Sequence, residues 1–182
     1  LIGGSLRQGS TNTAVLRTAV ELCGDVGVEA DRYGGLAGLP HFNPDDDHDP
    51  LHPAVVDLRA AIAAADAILF CTPEYAGDLP GSFKNLLDWT VGGMEIERKP
   101  VAWINASTAP SAAAGTHRAL RTVLGYTGGD IVEEACLDVP VPRQAVGAAG
   151  VIDDPEIRDR IADALRSLTD HVRGRPPEGT TG

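Results

Sequence analysis

The chain has 182 residues, 43% hydrophobic and 23% charged, the length and composition of one globular domain with ample material for a core. Its 15 Lys and Arg against 26 Asp and Glu give a formal net charge of -11, which argues against non-specific nucleic-acid or anionic-membrane partners, since both need a basic face. No apolar run approaches the roughly 20 residues that span a bilayer, no signal-peptide pattern opens the chain, and the cysteines Cys23, Cys71 and Cys136 are too scattered for a disulfide framework or metal set, so a cytoplasmic location is expected.

Leu1-Ile2 reads as the tail of a first strand, so further residues are expected ahead of Leu1. Gly3 to Thr13 follows as a small polar loop, and Ala14 to about Cys23 as an amphipathic helix closed by Gly24 and Gly27. A loop between a strand end and a helix start gathers free N–H groups at the positive end of the helix dipole, which suits a phosphate. Ser5, Ser10, Thr11, Asn12 and Thr13 add short donors and Arg7 a cation. The loop is neither G-x-G-x-x-G nor G-x-x-x-x-G-K-[ST], so it offers hydroxyls around a single phosphate. The alternative is a polar turn with an ordinary N-capped helix.

Val28 to Tyr33 alternates as a second strand, followed by a long connection from Gly34. In it Asp45-Asp46-Asp47-His48-Asp49 lacks the spacing of a calcium loop and reads as a solvated acidic turn. A helix begins at Pro53, where proline is tolerated because its missing N–H has no intrahelical partner. Ala67 to Cys71 is a continuous apolar run, expected of a central parallel strand buried on both faces. Thr72 to Gly81 forms a second loop at a strand's carboxyl end, followed by a helix from Ser82 to about Val91. Pro100 to Ala106 is a fourth strand, Ser107 to Gly115 a third loop and Thr116 to Tyr126 a helix. Asp130 to Leu137 is a fifth strand, and a last helix runs from Pro155 to about Val172. One domain over 1–173 is expected, with a disordered tail over 174–182.

Strands alternating with helices imply an α/β fold: a doubly wound five-stranded parallel sheet in the flavodoxin-like order 2-1-3-4-5, helices on both faces. In that order the first, third and fourth strands are neighbours. Their three loops therefore converge on one crevice at the carboxyl ends.

These residues carry a resemblance. Gly4-Ser5-Leu6-Arg7-Gln8-Gly9-Ser10-Thr11-Asn12 resembles the G-S-x-R-x-x-S-x-N loop of the NAD(P)H-dependent FMN reductase family. Thr72-Pro73-Glu74-Tyr75, with Leu79-Pro80-Gly81-Ser82-Phe83-Lys84-Asn85-Leu86-Leu87-Asp88-Trp89, resembles that family's T-P-E-Y-N-x-x-x-P-G-x-L-K-N-x-x-D-W. The resemblance implies non-covalently bound FMN, NADPH or NADH as co-substrate, and a homodimer or homotetramer. It implies that Ser5, Arg7, Ser10, Asn12 and Thr13 hold the FMN phosphate. Pro73, Glu74, Tyr75, Ala76 and Gly77 would line the isoalloxazine, with Ser107 and Gly115 on its other side. Lys84, Asn85, Asp88 and Trp89 would face a partner subunit, with core packing the alternative for Trp89. Ala76 stands where the family usually has Asn.

The activity implied is hydride transfer from NAD(P)H to flavin N5, then transfer of two electrons to a small acceptor: free flavin, quinone, azo, nitro or metal species. Flavin carries the chemistry, so no separate catalytic acid, base or nucleophile and no metal is required. Two other readings remain: a flavodoxin-like carrier that does not oxidise NAD(P)H, and a redox sensor that binds FMN without turnover. Of the five histidines, only His117, near the third loop, is placed at the crevice, an exposed residue at a helix start being the alternative. Arg118 and Arg143 are neighbourhood candidates for a 2′-phosphate.

Overall fold

The computed structural model describes residues 1–7 and 9–175. Strands β1 (Ile2–Gly3), β2 (Ile68–Cys71), β3 (Pro100–Asn105), β4 (Asp130–Ile131) and β5 (Leu137–Asp138) form a parallel sheet. β1 pairs with β2 and β2 with β3, while β4 and β5 pair with successive parts of β3. Helices α1 (Thr11–Cys23), α2 (Pro53–Ala64), α3 (Gly81–Asp88), α4 (Ala114–Tyr126) and α5 (Pro155–Gly174) cover the two faces.

The central strands are buried along their whole length, as their unbroken apolar runs require. Ala102 and Ile104 of β3 pack with α1 and α5, and Val101 and Trp103 pack into the second core with α2, α3 and α4. That division follows from the period of two along a strand.

The order 2-1-3-4-5 is present with a reduced edge. The predicted second strand, Val28 to Tyr33, shrinks to one parallel bridge between Tyr33 and Ile2. Around it Tyr33 N–H donates to Leu1 O at 2.9 Å. Its outward residues, Glu29, Asp31 and Arg32, are exposed and polar, and a short charged edge resists pairing with other chains. The predicted fifth strand is split, since a 3-10 turn over Glu133–Ala135 separates β4 from β5.

Other expected boundaries shift. α3 stops at Asp88, not Val91, where Thr90 Oγ1 turns back to donate to Leu87 O at 2.7 Å. The acidic turn is not wholly solvated: Asp45, Asp46, His48 and Asp49 are exposed, but Asp47 turns inward onto Arg59 at 2.7 Å. α5 extends to Gly174, and the rest of the expected tail, 176–182, lies outside the described residues.

Candidate active site

The first loop leaves β1 and enters α1 through Ser10, whose Oγ accepts from Thr13 N–H at 3.1 Å. Ser10 is thus the N-cap, and Thr13 Oγ1 lies 2.9 Å from the same hydroxyl. Ser5 Oγ accepts from Arg7 N–H at 3.2 Å and folds the loop back toward the helix terminus.

Asn12 is oriented from below. The Cys71 thiol at the end of β2 donates to Asn12 Oδ1 at 3.2 Å. Complete burial pushes that thiol well above its usual range, so it stays protonated as a donor. With its oxygen engaged, the Asn12 amide has its NH2 donors for a ligand.

The second and third loops are locked together. Glu74 Oε2 accepts from the backbone N–H of Gly115 at 2.9 Å and of Thr116 at 3.2 Å. These are first-turn donors of α4, whose N-cap Ala113 supplies no side-chain bond. A carboxylate from another loop therefore caps the helix and meets the positive end of its dipole. A Cβ added at Gly115 would sit 1.9 Å from Gly77 O, so only glycine allows the loops this close.

Ala76 and Gly77 adopt φ of 52° and 80°. Tyr75 and Asp78 exchange backbone hydrogen bonds of 3.0 and 3.1 Å across them. A two-residue connection with positive φ at both positions favours Asn-Gly, whereas Ala pays for its Cβ in this region. Ala76→Asn is expected to stabilise the fold by about 0.5–1 kcal/mol, read as a higher urea midpoint. An unchanged or lower midpoint would show that the turn carries no such strain.

A cleft of about 250 Å³ opens at the carboxyl ends of β1 and β2. Of the residues expected at the site, Ser5, Arg7, Ser10, Asn12, Pro73 and Tyr75 line it. Thr13 lies behind Ser10, and Glu74 holds α4. Ala76 and Gly77 form the turn, Gly115 packs on Gly77, and Ser107 N–H donates to Asn105 Oδ1 at 3.0 Å. Thr11, Gly9 and Arg143 line the cleft in addition. Thr11 was legible as a loop donor; of the two neighbourhood candidates for a 2′-phosphate, Arg143 lines the cleft and Arg118 does not.

Neither expectation for His117 holds. It is half-buried on the first turn of α4, its ring 6.0 Å from that of Trp103, and it does not line the cleft. Its Nδ1 donates to Ala113 O at 2.9 Å, which leaves Nε2 as a buried acceptor with no partner among the described residues. Burial lowers its pKa, against the opposing pull of the Ala113 bond, Asp138 and Glu74. With the folded pKa below the unfolded value of about 6.5, the unfolded chain binds more protons between the two. Stability is expected to fall as pH drops through that window, and less steeply in His117→Phe. Identical pH slopes in urea melts of the two proteins would refute this.

Trp89 and Asn85 are committed within the chain: Trp89 is buried with its indole N–H on Pro40 O at 2.9 Å, and Asn85 Oδ1 accepts from Phe42 N–H at 2.7 Å. Of the four residues expected to face a partner, Lys84 and Asp88 form an ion pair with each other.

A parallel sheet with a hydroxyl- and arginine-lined cleft at its carboxyl edge, on a helix N-terminus, defines a flavodoxin-like α/β protein suited to a phosphorylated ligand. Residues 1–140 match the NADPH-dependent FMN reductase family. The chain belongs to that family. An NAD(P)H-dependent FMN reductase of Pseudomonas aeruginosa is 33% identical over 174 residues, covering 94% of this chain and 93% of that protein. A quinone reductase of Escherichia coli is 29% identical over 178 residues, covering 94% and 87%. The solved structure of FerB, a flavoenzyme NAD(P)H:(acceptor) oxidoreductase from Paracoccus denitrificans, is similar with a TM-score of 0.77 at 26% identity, covering 94% of each chain. The protein is an NAD(P)H-dependent, FMN-using oxidoreductase.

Proposed function

We propose that the cleft holds FMN and that the protein passes electrons from NAD(P)H to a small acceptor, a quinone or free flavin. The observation that carries this is the donor set: among the described residues, hydroxyls, an amide and guanidinium groups line the cleft, and no carboxylate does. On a chain with a net charge of -11, that is a local reversal of sign suited to an anion.

FMN, when bound, would supply the two-electron chemistry that links the nicotinamide to the acceptor. Arg7, Ser5, Ser10 and Asn12 bind its phosphate at the N-terminus of α1, with Thr13 holding Ser10 in place. Pro73 and Tyr75 would form the wall for the ring system, with Ala76 and Gly77 in the turn beside them, and Tyr75, 47% exposed, offers an aromatic face at the rim. Glu74 brings no uncompensated charge toward the ligand, because the helix N-terminus neutralises it. Gly115 keeps the third loop tight on the second, with Ser107 at its start.

The test is an anaerobic absorbance spectrum of the protein with FMN, before and after NADPH or NADH. Rapid bleaching of the flavin band is expected. Bound flavin that stays oxidised would overturn the reductase reading, and failure to bind flavin would overturn the site itself.

The working form proposed is a cytoplasmic homodimer or homotetramer. Three unpaired thiols suit a reducing compartment, and Val91 and Met94, 59% and 62% exposed, leave apolar surface for a second copy. No helix among the described residues is long and apolar enough to cross a membrane. A monomeric mass by light scattering would sink the assembly.

A further inference from the structure

Among the described residues, the first two loops account for every one that lines the cleft except one. Arg143 arrives from the far end of the chain, and its backbone is fixed on both sides. Ahead of it, β5 pairs with β3, and Val139 and Val141 N–H continue the ladder to Asn105 O at 2.8 Å and Ala106 O at 3.1 Å. Both valines are buried in the core under α1 and α5. Arg143 then opens a 3-10 turn closed by Ala145 N–H on Pro142 O at 2.9 Å. Beyond it, Val146 bridges Ile152, whose N–H donates to the buried hydroxyl of Thr18 on α1 at 2.9 Å. The segment is therefore a wall held between β3 and α1, with Arg143 on its cleft side.

Resting on the reading above, we propose that Arg143 is a second binding cation for a phosphate monoester in this cleft. Such a group carries a charge near -2 at neutral pH, because its second pKa is about 6. Arg7 matches one of those charges and Arg143 the other. Both side chains are exposed, and neither guanidinium has an ion pair among the described residues. Their donors are thus available to a ligand. Because the backbone under Arg143 is set before any ligand arrives, little ordering remains to be done on binding.

Two ligands of the reaction present a phosphate monoester, the 5′-phosphate of FMN and the 2′-phosphate of NADPH. Arg143→Gln removes the charge and Arg143→Lys keeps it. FMN and riboflavin are titrated by fluorescence quenching, and KM is measured for NADPH and NADH. If the cofactor phosphate is the ligand, Arg143→Gln weakens FMN about tenfold or more relative to riboflavin, and Lys restores part of the loss. If the dinucleotide phosphate is the ligand, KM for NADPH rises about tenfold relative to NADH, and FMN discrimination is unchanged. Equal changes for all four ligands, or none, would overturn the proposal and leave the reductase reading standing. A wild-type chain that binds neither flavin nor nucleotide would instead overturn that reading, and Arg143 would lose its role with it.

Discussion

Arg59→Ala is expected to cost about 3–5 kcal/mol of folding stability, the range for breaking a buried pair from one side. The guanidinium joins three parts of the chain that are far apart in sequence. It donates to Asp47 Oδ1 at 2.7 Å and to Trp89 O at 3.0 and 2.9 Å, and Glu95 lies 3.9 Å away. Arg59 and Asp47 side chains are only 11% and 12% exposed. Removing the cation would leave two carboxylates and a backbone carbonyl without compensation, in a place water reaches poorly. Against a typical total of about 5–15 kcal/mol, this could unfold much of the population. Urea unfolding of Arg59→Ala, Asp47→Asn and the double variant would separate the terms, and the double variant should lose less than the sum. A loss under about 1 kcal/mol would mean that the pair behaves as a screened surface contact.

Arg7→Ala is expected to weaken FMN binding by about 1.5–3 kcal/mol, roughly 10- to 150-fold, the worth of a hydrogen bond to a charged group. The fold should be untouched, since the Arg7 side chain is exposed and its only hydrogen bond among the described residues runs through the backbone N–H. Riboflavin, which lacks the phosphate, should bind the variant and the parent alike. Because the guanidinium meets solvent, FMN affinity of the parent should also fall with salt, and that dependence should flatten in the variant. Fluorescence titration in low and high salt measures both. Unchanged FMN affinity would remove Arg7 from the site.

Much of this molecule is legible locally. Helical spacing of apolar residues finds α1, α2, α4 and α5, and the unbroken run at Ile68–Cys71 finds a buried strand. The Ser10 to Asn12 stretch reads as a helix cap, and the residues that cap α1 also line the cleft. The weak elements were less legible. Val28 to Tyr33 alternates, yet its outward positions are charged and it keeps one bridge, because an edge strand gains packing on one side only. The segment from Asp130 to Leu137 contains a turn that its composition does not announce.

The sequence by itself determined the fold class and the family, and it marked the first loop as the candidate anion site, since strand runs, helical spacing and loop motifs are each legible in short stretches. Tertiary structure alone decided that Glu74 caps α4, that Gly115 must be glycine, that Arg59 collects Asp47 and Trp89, and that Arg143 enters the cleft. The partners of Arg59 and Glu74 lie 12 to 42 positions apart, and no periodicity or spacing rule acts over such distances. The parallel sheet, by aligning the carboxyl ends of its strands, brings the loops of Glu74, Gly115 and Arg143 together, whereas the packing of α2 beside the end of α3 places Arg59 on Asp47 and Trp89.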